Sequence, residues 1–590
     1  MKKIISILLS LMLIASLAAC ANNAATNTDE QGPVVDTEIT AKEATGEFSI
    51  KTEDGSFETT AAAETTTAPE TTTTPETTTT PETTTAPETT ASETSAPETG
   101  ASVAIDTTGK IYRISSAGTY TLSGLLEGQI LVEAGENDEV ILELSGATIT
   151  CGEDSPIKIL SAGKVEISAK KGTDNVINDT RAQKTADDED QGVGAIYAKC
   201  DLKLKGNGTL VVNAAYNNGV HTTKDLKIQN LSLKVTAYNN AIKGNDSVTV
   251  TSGTVVAIST NGDGIKTENT NVNKNGVTRG NITLTGGNIT VYAAGDGFQA
   301  AHNFEMSAGE ENTTPTLTIY TGSYSGYTAA GASTTSYKGV KVQNELNIKD
   351  GKITIQSYDD GLHADYGTAF EDGTKGAGTI NISGGDITIN VYSPANKTSS
   401  GRRGPGGWGG QQSVSGADGV HADGTLNISG GTVNIDSAYE GLEANVINVT
   451  GGASYVSAND DGVNACKGNT TPQINVTGGY LDVSVSPSGD TDGIDSNGTY
   501  TQTGGVVITR GPNNQNMAAL DADGSISVSG GTLIVLGYAR VSTSGAVKSY
   551  SLSLHSAGSH TVKIGGVSYT FTNASAYGRT TCYSDVSVST

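Results

Sequence analysis

The sequence predicts an all-β solenoid, a single-stranded parallel β-helix with coils of about 22 residues. A repeated unit of that length is the first observation: DGVHADGTLNISGGTVNIDSAY (418–439) is followed by EGLEANVINVTGGASYVSAND (440–460), and NGVHTTKDLKIQNLSLKVTAYN (218–239) has the same pattern. Turns of the Asp-Gly and Gly-Gly type are the second, because they recur in two independent registers. The third is composition: 74 Gly but only 6 Phe and 1 Trp argue against a large conventional core.

One repeat contains the elements of one triangular coil. Apolar and polar residues alternate in 420–423, 426–428 and 433–435, and turn residues separate these three segments. Successive coils of a parallel β-helix stack about 4.8 Å apart, with Val, Ile, Leu and Ala inside and glycine at the corners. Helical repeats would need helix formers where this chain has Thr, Gly and Asn, and the LxxLxL and GGxGxD patterns are absent.

The N-terminus has the features of a bacterial export signal. Lys2 and Lys3 precede an apolar run over 4–17, and Leu17-Ala18-Ala19-Cys20 resembles a lipobox. We therefore expect a signal peptide over 1–20, lipidation of Cys20, and an extracellular, cell-surface lipoprotein anchored to the bacterial membrane. The alternative is a plain secretory signal with an incidental cysteine.

The remaining chain divides by composition. Residues 58–100 consist almost entirely of Thr, Pro, Glu, Ala and Ser, so we predict a disordered linker over 21–100. The repeats predict a carbohydrate-binding β-helix over 101–540, and 541–590 lose the period and are expected to cap the last coil. The four cysteines after the signal follow no metal or redox spacing, and we interpret them as packing residues: Cys151, Cys200, Cys466 and Cys582.

Equivalent positions of successive coils stack, so candidate sites are found down columns. The outward residue after each turn glycine gives the column His221, Lys243, Lys266, Gln299, Lys341, His363, His421, Glu443, Asn464 and Asp495. Its lysines and histidines form a candidate strip for the carboxylates of an acidic sugar: His221, Lys243, Lys266, Lys341, His363 and His421. The alternative is an ordinary solvated strand face.

Carboxylates recur at the turns, and stacked like charges about 5 Å apart favour a bridging cation. Hard oxygen ligands suit Ca²⁺, which is the expected cofactor. The candidate ligands are Asp263, Asp296, Asp359, Asp360, Asp365, Asp418, Asp423, Glu440, Glu443, Asp460, Asp461, Asp492 and Asp495. For any single aspartate the alternative is a plain turn former before glycine.

Aromatic and arginine residues supply further candidates for sugar binding. Tyr216 and Tyr238 share a position before the turn, where their rings stack either on sugars or on each other. The insertion 393–416 contains Arg402, Arg403 and Trp408, residues that bind carboxylates and pyranose rings. A disordered tether is the alternative for that insertion.

The segments GAIYAKCDLKLKGNGTLVVNAAYNNGVHTTKDLKI (194–228) and NNAIKGNDSVTVTSGTVVAISTNGDGIKTEN (239–269) resemble the clostridial family of carbohydrate-binding domain-containing proteins. The resemblance covers roughly 101–540. It implies a right-handed β-helix similar to pectate lyases, calcium at acidic corners, and binding of cellulose or acidic plant polysaccharide such as polygalacturonate. It does not imply cleavage.

Three functions remain open at this stage. The favoured one is a surface protein that binds plant cell-wall polysaccharide without cleaving it, as a monomer with no nucleic-acid partner. The second is a calcium-dependent pectate lyase that acts by β-elimination, for which Lys341 is the candidate base. No second Lys or Arg accompanies Lys341 on neighbouring outward positions, which weighs against it. The third is a surface spacer.

Overall fold

The computed structural model describes residues 39–52, 59–61, 103–106, 108, 110–184, 193–310, 313–326, 336–391 and 416–590. These residues form an all-β structure whose only helical element is the 3₁₀ helix Gly322–Ser325. No helix in this part of the chain is long and apolar enough to cross a membrane.

Most strands belong to one large, mostly parallel sheet. Along most of it each strand pairs with the third strand before it and the third after it, so the sheet divides into three ladders that the chain visits in turn. Ladder A contains Ile111–Ile114, Gln129–Glu133, Ile157–Ser161, Gly194–Ala198, Asn218–Thr222, Ile242–Gly244, Ile265–Lys266, Phe298–Ala300, Val340–Val342, Leu362–Ala364, the start of Val420–Ser437, the start of Leu442–Val449, Val463–Ala465 and Ile494–Ser496.

Ladder B follows ladder A in each repeat. It contains the start of Gly118–Glu127, the start of Glu139–Cys151, Lys164–Ala169, Asp201–Gly206, Asp225–Gln229, Ser247–Val250, Asn281–Leu284, Phe304–Met306, Glu345–Ile348, the start of Thr379–Val391, the middle of Val420–Ser437, the end of Leu442–Val449, Gln473–Val476, Thr499–Gln502, Ile526–Val528 and Ser542–Thr543.

Ladder C completes the repeat. It contains the ends of Gly118–Glu127, Glu139–Cys151, Thr379–Val391 and Val420–Ser437, together with Asp174–Asp179, Thr209–Ala214, Leu231–Ala237, Gly253–Ser259, Asn288–Ala293, Thr316–Thr321, Lys352–Ser357, Ala453–Ser457, Tyr480–Ser484, Val506–Arg510 and Thr532–Leu536.

The inward side chains of all three ladders form one continuous apolar core. Ile242 of ladder A, Val250 of ladder B and Val255 of ladder C are fully buried members of it. The three short strands predicted within 418–439 form instead a single hydrogen-bonded strand, Val420–Ser437, whose register shifts at its bends. The Ser429-Gly430-Gly431 segment therefore bends the strand without ending it. The alternation of apolar and polar residues in each segment is as predicted.

Two rows of glycine serve two different purposes. The second glycine of the Gly-Gly corners has positive φ, as at Gly431 (φ 74°), a conformation that other residues adopt at a cost. The glycine of the Asp-Gly corners is absent from the positive-φ residues; at Gly361 a Cβ would stand 2.5 Å from Ile389 Cγ2 and 2.6 Å from the Gly419 carbonyl oxygen. Glycine is required at this position because the neighbouring strand leaves no space for a Cβ atom.

Both ends of the sheet carry antiparallel strands. Ser49–Thr52 pairs with Gly118–Glu127, and Ile50 is buried against the core. This strand lies within 21–100, where composition predicts a linker. Phe48 and Ile50 pack on the core, and they are large apolar residues of a kind that the sequence of 58–100 does not contain. The strands Thr59–Ala61 and Val103–Ile105 pair with each other in parallel.

At the C-terminus, Thr580–Ser584 pairs antiparallel with both Thr532–Leu536 and Lys548–Leu552. Gly558–Ile564, Val567–Asn573 and Val588–Ser589 form a separate sheet, and Tyr366–Ala369 with Lys375–Ala377 forms a hairpin between ladders A and B. The four cysteines of the described residues are free thiols, buried except for Cys466, which is half-buried.

Candidate functional site

The outward row of ladder A is continuous over ten strands. Each member is the direct parallel partner of the next, from His221 opposite Lys243 to Asn464 opposite Asp495. The structure thus brings the ten residues of the predicted column together in the predicted order. We call this set, His221 to Asp495, the outward row.

The lysines of the outward row are each paired with a carboxylate. Lys243 Nζ lies 2.8 Å from Glu268, Lys266 Nζ lies 2.9 Å from Asp263, and Lys341 Nζ lies 3.5 Å from Asp365. Glu268 is the most exposed of these carboxylates, with 53% of its side chain accessible. A ligand carboxylate approaching this half of the row would therefore compete with side chains of the protein for the same ammonium groups.

His221 is almost fully enclosed, with 5% of the residue exposed. Its Nε2 contacts Asn245 Oδ1 at 3.0 Å, whereas its Nδ1 has no hydrogen-bond partner. Burial, together with the neighbouring Lys243 ammonium, lowers the pKa of His221 to about 4, so the ring is neutral at physiological pH. It contributes little accessible surface to a ligand.

A second row lies at the turn before each ladder A strand. This corner row consists of Asn218, Asn240, Asp263, Asp296, Lys338, Asp360, Asp418, Glu440, Asp461 and Asp492. In most members one side-chain oxygen accepts the backbone N–H of the next corner, as in Asp296 N–H to Asp263 (2.9 Å), Asp418 N–H to Asp360 (2.8 Å) and Asp492 N–H to Asp461 (2.7 Å). These carboxylates have a structural role that turn propensity alone does not reveal.

Lys338 is the one member of the corner row that is neither acidic nor an amide. Its Nζ lies 2.5 Å from Asp360 Oδ2 and 3.2 Å from Asp359 Oδ2. Burial opposes ionisation of Asp360, but the Lys338 ammonium holds the pKa of that carboxyl well below its usual range. Sequence reasoning missed Lys338; its place among acidic corner residues was the available signal.

Two histidines stack at the centre of the outward row. The rings of His363 and His421 are 4.8 Å apart and 24° from parallel. His363 contacts Asp360 through Nδ1 and Asp365 through Nε2, both at 2.8 Å. His421 repeats the pattern with Asp418 (3.0 Å) and Asp423 (3.1 Å).

The two histidines differ in their third contact. Glu443 Oε2 lies 2.8 Å from His421 Nδ1, the same nitrogen that contacts Asp418. Burial disfavours the charged rings, but hydrogen bonds to these carboxylates raise the pKa of both histidines. Three sets of side chains here have ligand atoms within 4.8 Å of one another: Asp360 with His363 and His421, His363 with Asp365 and Asp423, and Asp418 with His421 and Glu443.

The last third of both rows is acidic. Burial raises the pKa of Asp461 to about 8, of Asp492 to about 7 and of Asp495 to about 6, with neighbouring carboxylates adding to each shift. Burial and the neighbouring Glu443 likewise raise the pKa of Glu440. No lysine or arginine of the described residues forms an ion pair with these four, in contrast to the lysine half of the row.

The other predicted site residues are dispersed. Tyr216 is buried beneath the Arg181 guanidinium, 3.9 Å from its ring centroid, and Tyr238 is half-buried. Asp460 accepts a hydrogen bond from Tyr439 beside the acidic corner. Arg402, Arg403, Trp408 and Cys20 lie outside the described residues.

Long connections border ladder A on both sides. Among the described residues, 485–493 enters ladder A from ladder C, and 267–280, 365–378 and 466–472 leave it for ladder B. Apart from 307–315, the connections from ladder B to ladder C are only a few residues long, and seven of them are Gly-Gly corners. The outward row therefore has long connections at each edge, whereas the connections at the B–C corner are mostly short.

The sequence profile of the carbohydrate-binding domain-containing protein family matches residues 108–391 and 368–462, together more than half of the chain. The chain belongs to this family. A carbohydrate-binding domain-containing protein from Acetivibrio thermocellus is 43% identical over 127 residues, which are 21% of this chain and 44% of that protein. The chain thus covers less than half of that relative's length.

A solved structure is also similar to this member of the family. It is a polysaccharide lyase-like protein from C. thermocellum, determined as a gadolinium derivative, with 35% sequence identity over 43% of this chain and 91% of that chain. The TM-score is 0.35. The family match covers nearly all of the outward row, His221 to Glu443, with Asn464 and Asp495 lying beyond it.

Proposed function

We propose that the chain is a cell-surface lipoprotein that binds plant cell-wall polysaccharide on ladder A without cleaving it. The three ladders would be the three faces of a right-handed parallel β-helix, and the ligand an acidic polymer such as polygalacturonate, or cellulose. The observation that carries the proposal is the unbroken outward row between two borders of long connections. Loops on a rigid scaffold are where proteins place binding residues.

The spacing of the row suits a polymer. Neighbouring parallel strands are about 4.8 Å apart, close to the length of one pyranose unit. A chain lying along the row would therefore present one sugar to each strand. Its carboxylates would replace the exposed Glu268 at Lys243, and equivalent partners at Lys266 and Lys341.

Calcium is proposed for the acidic third of the rows. Glu440, Asp461, Asp492 and Asp495 offer hard oxygens that pair with no lysine or arginine in the described part of the chain. The buried Oδ1 of Asn464, which lies in the outward row beside Asp495, has no hydrogen-bond partner. When bound, Ca²⁺ would neutralise these carboxylates and offer coordination positions to uronate oxygens. Asp263, Asp359, Asp360, Asp365 and Asp423 already contact lysine or histidine and suit this ion less well.

The export signal, lipidated Cys20 and linker complete the proposal. They place the binding domain outside the cell, anchored to the membrane and carried away from it. The linker would let the domain reach the polymer.

Affinity electrophoresis of the full chain in gels containing polygalacturonate or cellulose derivatives tests the proposal. We expect retardation by at least one polymer, reduced by a calcium chelator and by the double substitution Lys243→Met with Lys266→Met. Lys164→Met, on ladder B and paired with Glu139, is the matched control and should leave retardation unchanged. No retardation in any gel would contradict the proposal and favour a spacer.

The same samples distinguish binding from cleavage. Ultraviolet absorbance of unsaturated uronides, followed with polygalacturonate and calcium, should stay at baseline. Product formation that Lys341→Met abolishes would establish the lyase alternative instead, with Lys341 as the base.

A further inference from the structure

We infer that Asp418, His421 and Glu443 form a binding site for a divalent transition-metal ion of the zinc class, separate from the proposed calcium site. His421 and Glu443 are direct partners on adjacent strands of ladder A, and Asp418 lies at the corner that precedes the His421 strand. Imidazole nitrogen with carboxylate oxygens is a ligand set that suits zinc and its neighbours, whereas calcium prefers oxygen alone.

The first argument is the convergence of two carboxylates on one nitrogen. His421 Nδ1 lies 3.0 Å from Asp418 Oδ2 and 2.8 Å from Glu443 Oε2. A single N–H makes one well-aligned hydrogen bond, so a proton on Nδ1 cannot serve both oxygens equally. The oxygens of Asp418 and Glu443 also lie within 4.8 Å of each other, and a cation between two carboxylates at this distance would relieve their repulsion.

The second argument is the shape of the triangle. A four-coordinate zinc ion with bonds of about 2.0–2.2 Å holds neighbouring ligand atoms roughly 3.3 Å apart. The distances from His421 Nδ1 to Asp418 Oδ2 and to Glu443 Oε2 are only a few tenths of an ångström shorter. Small side-chain movements would therefore place all three atoms around one ion. A fourth position would remain for water or another ligand, as in zinc sites with three protein ligands.

The third argument is the far side of the ring. His421 Nε2 lies 3.1 Å from Asp423 Oδ1, so its N–H can donate to that carboxylate while Nδ1 faces the ion. A carboxylate in this position orients metal-binding histidines and raises their basicity.

On the preceding strand of ladder A, the equivalent position beside the histidine is occupied by the ammonium group of a lysine. His363 has the same two carboxylate contacts, but there Lys338 Nζ lies 2.5 Å from Asp360 Oδ2. No lysine or arginine among the described residues pairs with Asp418 or Glu443. The site is nevertheless reachable, because 20% of the His421 side chain and 16% of the Glu443 side chain are exposed.

Calorimetric titration with Zn²⁺ alone tests the inference on the full chain, produced without a polyhistidine tag and freed of metal by a chelator. We expect a single high-affinity Zn²⁺ per chain. Asp423→Asn should weaken it by about 10–100-fold, as for other outer carboxylates, and His421→Gln and Glu443→Gln should weaken it further. Co²⁺ in place of Zn²⁺ should give the strong visible absorption of a four-coordinate ion, and His421→Gln should abolish that absorption.

His363→Gln is the matched control, because it changes the stacked neighbour that Lys338 serves, and it should leave Zn²⁺ binding nearly unchanged. Circular dichroism without metal verifies that each variant is folded. Absence of Zn²⁺ binding, or binding that survives both His421→Gln and Glu443→Gln, would overturn the inference. Asp492→Asn with Asp495→Asn should weaken calcium binding while sparing Zn²⁺, so failure of one metal site is distinguishable from failure of the other.

Discussion

Asp296 is a buried carboxyl whose protonation should control stability around neutral pH. Only 2% of the residue is exposed, and burial together with Asp263 raises its pKa to about 7, compared with about 3.9 in an unfolded chain. The folded state therefore holds this proton more tightly than the unfolded state. The contribution of Asp296 to stability must fall as pH rises from about 4 to about 7.

Asp296→Asn should remove that pH dependence, because an amide oxygen still accepts the Lys338 N–H (2.7 Å) and carries no charge. Thermal unfolding should show the variant more stable than the parent at pH 8 and nearly equal to it at pH 4. Asp386→Asn, at an exposed position on ladder C, is the control and should not change with pH in this way. A variant less stable at pH 8 would contradict the prediction.

Lys338 is the residue whose loss should be most damaging in the corner row. Lys338→Met leaves the buried Asp360 carboxylate without its ammonium partner, and breaking a buried ion pair costs about 3–5 kcal/mol. Denaturant unfolding measures this free energy. Lys341→Met removes a longer, 3.5 Å contact with the more accessible Asp365 and should cost less than about 1 kcal/mol. Adding Asp360→Asn to Lys338→Met should recover part of the loss.

At the scale of elements, five asparagines on ladder B form a hydrogen-bonded chain across strands. Four hydrogen bonds of 2.8–3.0 Å link them. Each donor amide bonds to the side-chain oxygen of the asparagine on the preceding strand, in the order Asn475 to Asn448, Asn427, Asn381 and finally Asn347. This row binds neighbouring strands by side chains in addition to the backbone ladder. Its alignment depends on exact register.

Asn427→Ala removes two of these bonds and Asn475→Ala removes one. With about 0.5–1.5 kcal/mol for each net hydrogen bond, the first substitution should destabilise about twice as much as the second in denaturant unfolding. Thr425→Ala, on the same strand and outside the row, provides the baseline. Equal effects of the two asparagine substitutions would mean that the row contributes nothing pairwise.

The same elements mark what sequence alone predicts. The order of the outward row followed from the period, because one turn glycine fixes the register of the strand after it, even where 42 residues separate Gln299 from its partner Lys341. The burial of His221 and the ammonium of Lys338 beside Asp360 did not follow, since they depend on how far each side chain reaches across to the next strand. Similarly, the sequence predicted glycine at the corners, whereas the lack of space for a Cβ at Gly361 is visible only in the structure.

At the scale of the whole molecule, the C-terminal strands cover the last part of ladder C. Outward Ile508 and Ile534 are apolar, and they are buried by Val562, Phe571 and Cys582 of the terminal segment. The strand Thr580–Ser584 also pairs with the last ladder C strand, Thr532–Leu536. The segment thus covers both an apolar patch and a strand edge.

Phe571→Ala should destabilise the packing of the C-terminal segment, because removing a buried aromatic ring costs about 3–5 kcal/mol. The repeats far from the C-terminus should keep their own contacts. We expect faster proteolysis after residue 540 and concentration-dependent association in light scattering, as exposed edges pair. Val567→Ala, at a residue that is 57% exposed, should change neither. Retention of a monomer resistant to protease would contradict the prediction.

The long connections on either side of ladder A have a consequence for how such a protein diversifies. Segments such as 267–280 and 365–378 leave and rejoin the sheet at fixed corners. A change in their length would therefore not disturb the register of Lys266, Gln299 and Lys341. If ladder A binds a polymer as proposed, changes in these connections would alter which ligand is bound, and duplication of repeats would alter the length of polymer that is bound. Both kinds of change leave the strand register intact, which makes this scaffold suitable for loop grafting.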